Sequence, residues 1–431
     1  MNPIKNEERL PMDYPKLRNI EIFPVQSQGR SMLCLRDPLN FAAEAVFIPY
    51  ELLEIIRYFD GKHSILDIQV AYTRRHGGLL FSNNIRKLVS ELDEKLFMDS
   101  ERFQQQRAEV EASFKNALIR KATHAGTTYH ANPEALRNQL NAFFAAPQGP
   151  GKPNFAMRDV TPQNPKTNKG SALKAVIAPH IDLRRGGACF AHTYKHVAEE
   201  SDADLFVILG VNHFGGNGFF SLTRKDFATP LGLLETDTAF IDALAQNYGD
   251  DLFAGEFVHK QEHSIEFQVV FLHYLFGNQR PIKIAPILCS SFHEIIAQGV
   301  SPSEVKQVKT FIESLKKAIA ESNQKICLIA GVDLSHVGGR FGDEGMLTTM
   351  LLNQIKSEDL QMLQTVEALE AEEFYHSIQQ HNDRRRICGL PAIYTMLSVL
   401  DASEGKLSKY DQSVERETQS VVSYASMYFS G

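Results

Sequence analysis

The sequence predicts an α/β fold, a sheet with flanking helices, preceded by a small N-terminal winged-helix domain. From Lys174 onward, short apolar strand patterns alternate with helix patterns, which is typical of a sheet covered by helices on both faces. Before residue 104, three short apolar runs are followed by three helical patterns, the order of a winged-helix unit. We therefore expect domains at 18–104 and 124–431, joined by a charged helical connector at 105–123.

The composition is that of an ordinary globular protein. The 431 residues are 43% hydrophobic and 23% charged, with a net charge of −7 and both signs interspersed. A nucleic-acid-binding protein usually carries a basic stripe, so we expect no nucleic-acid partner. The polar N-terminus lacks the apolar segment of a signal peptide, and no stretch reaches the roughly 18 apolar residues of a membrane span.

The cysteines are few and widely spaced. No two of them form a CxxC pair, which argues against a zinc ribbon and against a disulfide framework. We therefore expect a reducing compartment and a cytoplasmic protein. The five are Cys34, Cys189, Cys289, Cys327 and Cys388.

The first domain combines a small antiparallel ribbon with three helices. The ribbon strands are predicted at 20–25, 31–35 and 45–48. The helices are predicted at 50–59, 64–76 and 81–96. Ser64 is the expected N-cap of the second helix, and the third carries apolar residues at i, i+3, i+4 and i+7 spacing.

Part of this domain resembles a known module. The segments FDGKHSILDIQVAYTRRHGG and SNNIRKLVSELDEKLFMD are similar to the PqqD-like peptide-recognition domains. Those domains bind a leader peptide as an additional strand of their ribbon. The resemblance implies peptide recognition by residues 18–104. A winged helix without a ligand is the alternative, because the likeness is one of pattern and includes no catalytic residue.

Alternating apolar patterns predict the strands and helices of the second domain. Strands are predicted at 175–178, 205–209, 282–288, 326–330 and 420–429. Helices are predicted at 189–200, 238–248, 264–276, 303–322 and 345–361. A stretch rich in proline, asparagine and lysine at 147–170 is predicted to be a surface loop.

Three of these strands run directly into polar side chains. His180 follows the first strand, His213 follows the second, and Asp333 and His336 follow the fourth. Ligands of open α/β sheets bind beyond the C-terminal ends of the strands, so we expect these groups to meet at one rim. Imidazole is a common metal ligand and titrates near neutrality. The pattern therefore indicates a metal site or an acid/base site, while a single histidine at a strand end would more often be structural.

Two further motifs allow a structural and a functional interpretation. The first motif is Glu262-His263-Ser264-Ile265-Glu266, in which Ser264 is the expected N-cap of a helix. In the functional interpretation, Glu262 and His263 at this helix start face the rim. Cys388 follows three arginines, which would stabilise a thiolate. The structural alternatives are plain helix capping and a small buried cysteine at a turn.

A series of segments from residue 124 onward begins at HAGTTY and continues through AVIAPH, FVILGVNH, TPLGLLETD, EHSIEFQVVFL and IAPILC. It ends with GVDLSH, RICGLPAI and SVVSYASMYF, and it covers roughly 300 residues. In this series the chain resembles the Memo family, also called system protein B of the AmmeMemoRadiSam group. The order and spacing of so many segments are not expected by chance.

The resemblance implies a fold similar to the class III extradiol dioxygenases, which hold non-haem iron(II). It implies a metal site built from His180, His213 and Cys388, with His336 at the position of the dioxygenases' acid/base histidine. It also places Asp333, His263 and Glu262 in the same pocket and His124 near the same cleft.

The chain departs from the family pattern beside these residues. Ile181-Asp182-Leu183-Arg184-Arg185 replaces the usual segment after the first histidine, and Thr128 stands where the family has tryptophan. The implied metal ligands are unaffected. Asp182, Arg184 and Arg185 would make the substrate pocket more charged, which suits an acidic or peptide substrate.

Two imidazoles and a thiolate suit iron(II), copper or zinc rather than magnesium or calcium. We expect one metal ion, iron(II), with copper and zinc as alternatives. The first hypothesis is a metal-dependent redox enzyme acting on a peptide or small molecule, with radical SAM and AMMECR-type partner proteins implied by the family name. The second is a non-catalytic metal- or peptide-binding protein. The third is a hydrolase with Cys388 as nucleophile and His180 or His336 as base.

Overall fold

The structure is a computed structural model, and it describes residues 12–431 except 28, 146, 156–172 and 217. The chain divides into two compact units, at 1–116 and 117–431. The second unit thus begins seven residues before the predicted start at 124. Most of the predicted loop at 147–170 lies outside the described residues.

The described residues of the first unit form a three-stranded antiparallel sheet and four α-helices. Its strands pair in the order β1–β2–β3. A capping box between Ser64 and Asp67 starts the second helix, which confirms the predicted N-cap. The strands are β1 (Glu21–Ser27), β2 (Arg30–Arg36) and β3 (Val46–Pro49). The helices are α1 (Leu53–Ile56), α2 (Ile65–His76), α3 (Ser82–Glu94) and α4 (Glu101–Asn116).

The second unit is built around a mixed sheet of eleven strands. Its first five strands are β4 (Ile119–Arg120), β5 (Leu173–Ala178), β6 (Leu205–Val211), β7 (Phe220–Leu222) and β8 (Asp226–Thr229). The others are β9 (Gly232–Thr236), β10 (Lys283–Cys289), β11 (Ile326–Gly331), β12 (His336–Gly338), β13 (Glu404–Glu415) and β14 (Ser420–Ser430).

Nine helices of the described residues belong to this unit. They are α5 (Pro133–Ala145), α6 (Leu183–Glu200), α7 (Thr238–Tyr248), α8 (His263–Phe276) and α9 (His293–Gln298). The later ones are α10 (Lys306–Glu321), α11 (Thr349–Glu367), α12 (Ala371–Gln379) and α13 (Leu390–Val399).

The centre of the sheet is parallel. Strands β5, β11, β6 and β10 lie side by side in that order, and each pair between neighbours is parallel. All seven residues of β6 are buried. Leu205, Val207 and Leu209 enter one hydrophobic core, whereas Phe206 and Ile208 enter the other. Burial on both faces explains the continuous apolar runs and confirms the predicted α/β fold.

No helix within the described part of the chain is long and apolar enough to cross a membrane.

Candidate metal centre

Three neighbouring strands deliver the predicted polar residues to one rim of the sheet. His180 lies two residues beyond β5, His213 two residues beyond β6, and Asp333 two residues beyond β11, which runs between them. The rings of His180 and His213 have centroids 4.9 Å apart. His180, His213 and Asp333 therefore meet at this rim as predicted, because the central strands of the sheet are parallel.

The start of α8 brings a third histidine to this rim. The helix begins at His263, whose ring centroid lies 5.1 Å from that of His180 and 5.0 Å from that of His213. Its first two turns are held to two strand ends, because Ser264 Oγ donates to the Val211 carbonyl and Gln268 Nε2 to the Pro179 carbonyl.

The prediction that Ser264 caps this helix is wrong. The N-cap is Glu262, whose carboxylate accepts hydrogen bonds from the backbone N–H groups of His263 at 2.8 Å and Ser264 at 3.0 Å. Ser264 is already inside the helix, and its hydroxyl is engaged by β6 through Val211. A longer acidic side chain reaches the free N–H groups instead, where the helix dipole also favours its charge.

One nitrogen atom from each of the three histidines lies within 4.8 Å of the others, so that this group could hold a metal ion. The Nδ1 atom of His180 lies 3.0 Å from the Gly331 carbonyl. The Nδ1 atoms of His213 and His263 lie 3.1 and 3.2 Å from the Glu262 carboxylate. Since each Nδ1 has an acceptor, Nε2 is the nitrogen that each ring has left for a ligand.

The electrostatics of the cluster follow from burial and from Glu262. Burial and the neighbouring histidines hold the pKa of His180 well below its usual range. Burial alone would disfavour the charged form of His213, but the Glu262 carboxylate outweighs it and raises the pKa of His213. Burial lowers the pKa of His263 in spite of the same carboxylate. For Glu262, burial is outweighed by both histidines, and its pKa is well below the usual range.

Cys388 and Asp333 adjoin His180. The Sγ atom of Cys388 lies 3.4 Å from Nε2 of His180 and 3.4 Å from the Asp333 carbonyl. The Asp333 carboxylate accepts from the backbone N–H groups of His180 at 3.0 Å and Ile181 at 3.2 Å. Burial raises the pKa of Asp333 to about 7, although these hydrogen bonds oppose the shift. His180 is thus enclosed by a thiol, a carboxyl group and a backbone carbonyl.

The expected stabilisation of a Cys388 thiolate by arginines is not present. Arg384 pairs with Glu358, Arg385 with Asp359 and Arg386 with Asp343. Burial first, and the nearby Asp333 next, raise the pKa of the Cys388 thiol well above its usual range. The arginines stabilise the loop before Cys388 rather than its thiolate form.

His336 is fixed by backbone carbonyls. Its Nδ1 lies 3.0 Å from the Leu334 carbonyl and 3.2 Å from the Arg386 carbonyl, so the proton sits on Nδ1 and Nε2 carries a lone pair. Burial lowers the pKa of His336 to about 4. Behind it, the buried Asp359 accepts from the hydroxyls of Ser335 and Tyr410 at 2.6 and 2.8 Å.

The remaining predicted residues differ in their surroundings. The ring of His124 lies 5.7 Å from that of His263, and its Nε2 lies 2.9 Å from the Gln261 carbonyl. Asp182 caps α6 and pairs with Arg184 at 2.7 Å. Arg185 pairs with Glu415 at 3.2 Å. His124 therefore lies next to the histidine cluster, whereas Asp182, Arg184 and Arg185 form ion pairs with residues outside the cluster.

Sequence reasoning missed a buried ion pair behind the histidines. Arg120 and Glu266 are in contact, and their side chains are 0% and 1% exposed. Tyr129 also donates its hydroxyl proton to Glu266. The sequence places Glu266 in the first turn of a helix, but no local pattern connects it with an arginine 146 residues away.

A sequence model of the family described as Memo-like protein matches residues 120–428. The chain belongs to the Memo family. A MEMO1 family protein of Aquifex aeolicus is 30% identical over 418 residues, which cover 96% of this chain and 99% of the relative. Another, from Methanopyrus kandleri, is 30% identical over 322 residues, covering 72% of this chain and 99% of its own length. A third, from Sulfurisphaera tokodaii, is 35% identical over 190 residues, or 43% of this chain and 63% of the relative.

The donor set of this Memo family member fits a transition metal. Imidazole nitrogens suit iron, copper and zinc, and a histidine ligand in a metal site usually donates its other ring N–H to a carboxylate or carbonyl. Glu262 and the Gly331 carbonyl supply these acceptors. The side chains of His213 and His263 are 33% and 28% exposed, so the cluster is open to solvent on one side.

Proposed function

We propose that this Memo family protein binds one metal ion at the cluster of His180, His213 and His263 and uses it in a redox reaction. Iron(II) is the metal we expect, with copper and zinc as alternatives. The observation that carries this proposal is the convergence of the three imidazoles, two of which share the Glu262 carboxylate.

The ion would be held by the Nε2 atoms of the three histidines. The Cys388 Sγ, 3.4 Å from Nε2 of His180, is the sulfur donor that the family resemblance implies. When bound, iron(II) would supply its redox chemistry and open coordination positions for O₂ and a chelating substrate. Glu262 would orient two of the rings, and its negative charge would favour a cation in the cluster.

His336 is the residue that we propose as proton acceptor. Its Nδ1 faces two carbonyls, so its Nε2 lone pair is available. Since burial lowers the pKa of His336 to about 4, the ring is neutral near pH 7 and its Nε2 is unprotonated, although the same shift makes it a weaker base than an ordinary imidazole. Asp333, whose pKa is raised to about 7, would hold the backbone at His180 and Ile181 in either protonation state.

The first unit supports a peptide as the substrate. In its sheet, β2 lies between β1 and β3, so each outer strand has one edge beyond the pairing seen among the described residues. An added peptide strand would pair there, as the resemblance to PqqD-like domains implies. The match to the Aquifex aeolicus relative spans 96% of this chain and therefore includes most of this unit. Radical SAM and AMMECR-type partners are the part of the proposal that rests on the family name alone.

Metal loading tests the proposal. The full chain is purified anaerobically, stripped with a chelator, incubated with iron(II), copper or zinc, and analysed for metal after gel filtration. We expect about one ion per chain for wild type and a strong loss for His213→Ala. The matched control is His130→Ala, which changes an exposed histidine outside the cluster and should retain the ion. Wild-type protein that retains none of the three metals contradicts the proposal.

Two measurements separate the alternatives. A loaded protein that retains iron(II) but consumes no O₂, with or without candidate peptides, would favour the non-catalytic metal-binding protein. The hydrolase alternative is favoured by one distance, the 3.4 Å between Cys388 Sγ and His180 Nε2. It is opposed by the raised pKa of the thiol, because a nucleophilic cysteine needs its thiolate form.

A further inference from the structure

The ion pair of Arg120 and Glu266 lies at the start of α8, next to the histidine cluster, and the proposed function assigns it no role. Both side chains are almost fully buried, with exposures of 0% and 1%. A buried ion pair is tolerated only when nearly all of its hydrogen-bonding capacity is used, because two charges have been removed from water. The other hydrogen bonds of the Arg120 and Glu266 side chains therefore show which parts of the chain the ion pair holds in place.

Arg120 is bonded to the backbone at the start of α8. Its Nη2 donates to the Glu262 carbonyl at 2.7 Å, and its Nε donates to the His259 carbonyl at 3.0 Å. Glu262 is the residue whose carboxylate lies against Nδ1 of His213 and Nδ1 of His263. The guanidinium thus fixes the main chain of the residue that orients two rings of the cluster.

Glu266 is bonded to the segment that carries His124. Its carboxylate accepts from the backbone N–H of His124 at 3.0 Å, from the N–H of Thr123 at 3.2 Å and from the Thr123 hydroxyl at 3.0 Å. The Tyr129 hydroxyl is a further donor. These contacts hold the His124 ring 5.7 Å from the ring of His263.

We infer that Arg120 and Glu266 are positioning residues of the metal site, acting through the backbone of Glu262 and through the segment 120–129. Among the described residues, the hydrogen bonds of both side chains go to groups other than the rings of His180, His213 and His263. The inference rests on the proposed metal function and deepens it, because it states what holds the Glu262 carboxylate against Nδ1 of His213 and Nδ1 of His263. The planar guanidinium makes several bonds in fixed directions, and a lysine ammonium cannot reproduce them.

The test compares metal affinity with protein stability. Arg120→Lys keeps the charge and Glu266→Gln keeps the shape, so both retain much of the packing. The full chain is titrated with zinc in competition with a chromophoric chelator, and the thermal unfolding of each apoprotein is recorded separately. We expect zinc to bind about 10- to 100-fold more weakly in both variants, the range typical of lost outer-shell contacts.

The matched control is Arg18→Lys. Arg18 forms an ion pair with Asp37 at 2.8 Å, with side-chain exposures of 5% and 1%, but it belongs to the first unit. This variant should unfold at a lower temperature than wild type and bind zinc with unchanged affinity. If Glu266→Gln does not fold, Tyr129→Phe removes one donor to the same carboxylate and should shift zinc affinity in the same direction by less.

The outcomes are distinct. Weaker binding in Arg120→Lys with normal binding in Arg18→Lys supports the inference. If Arg120→Lys and Glu266→Gln are destabilised but bind zinc as wild type does, the ion pair is structural only. The inference is then overturned, while the metal site stands. If wild-type protein binds neither zinc nor the other metals, the proposed function fails and the inference fails with it.

Discussion

Both carboxylate oxygens of Glu262 lie 3.1 Å from Nδ1 of His213, and one of them also caps α8. The same carboxylate lies 3.2 Å from Nδ1 of His263. A single buried side chain thereby joins a helix start, a strand end and two rings of the candidate metal centre. Removing its charge should change the site more than the fold.

Glu262→Gln should weaken metal binding by about tenfold or more, because the acceptor for two imidazole N–H groups loses its charge. The measurement is competition with a chelator on the full chain. The control is Glu256→Gln, since Glu256 is also largely buried but is bonded to Thr223 and Lys225 instead. Equal affinity in wild type and Glu262→Gln would show that the carboxylate has no part in holding the ion.

Cys388 should react slowly with iodoacetamide near pH 7 in the metal-free protein and faster as the pH rises. The reason is that burial raises the pKa of this thiol well above its usual range, and the thiolate is the reactive form. Mass spectrometry of the folded chain can follow the site, because the other four cysteines are buried. Rapid alkylation at pH 7 would instead favour the hydrolase hypothesis.

His259→Gln should make the protein less sensitive to acid. Burial lowers the pKa of His259 to about 3, and its Nδ1 has no hydrogen-bond partner among the described residues. Between pH 6.5 and 3, the unfolded chain binds a proton here that the folded chain does not, so stability falls as pH falls. The loss from this group between pH 7 and pH 5 is about 2 kcal/mol.

The measurement for His259 is denaturant unfolding of both proteins at pH 7 and pH 5. Glutamine can still donate to the Ser221 carbonyl, which lies 3.1 Å from Nε2 of His259. We expect a smaller difference between the two pH values for the variant. The same difference in both proteins would mean that His259 is not buried in its neutral form.

Gly389→Ala should destabilise the loop that carries Cys388. A Cβ at this position would lie 2.7 Å from the Asp333 carbonyl oxygen and 2.9 Å from Cβ of Val332. Such overpacking typically costs about 1–3 kcal/mol, and we expect faster alkylation of Cys388 as well. Gly78→Ala is the control, because in the described part of the chain nothing but its own chain neighbours lies within 4 Å of its Cβ position, and it should leave both measurements nearly unchanged. Wild-type behaviour of Gly389→Ala would contradict the packing described here.

Local sequence patterns predict the elements of this fold well. The apolar runs that precede His180 and His213 are strands, and the run before Asp333 is the strand between them. Their placement at one rim follows because parallel strands end at the same edge of a sheet. The predicted helix at 238–248 has the same bounds in the structure.

Contacts between distant segments could not be predicted in this way. The ion pair of Arg120 and Glu266 joins β4 to α8, two elements far apart in the sequence. The position of Cys388 beside His180 is implied by the family resemblance, and no local pattern predicts it. The use of Glu262 rather than Ser264 as the N-cap also depends on a tertiary contact, because the Ser264 hydroxyl is hydrogen-bonded to Val211 of β6. The winged-helix character of the first unit and the roles of the site residues stay predictions.

The most direct test of the central claim is anomalous X-ray diffraction from crystals of the full chain loaded with iron(II) or zinc. We expect one strong anomalous peak within bonding distance, roughly 2.0–2.3 Å, of the Nε2 atoms of His180, His213 and His263, on the side of His180 where Cys388 lies. A peak elsewhere on the chain, or no peak in crystals grown from metal-saturated protein, would contradict it.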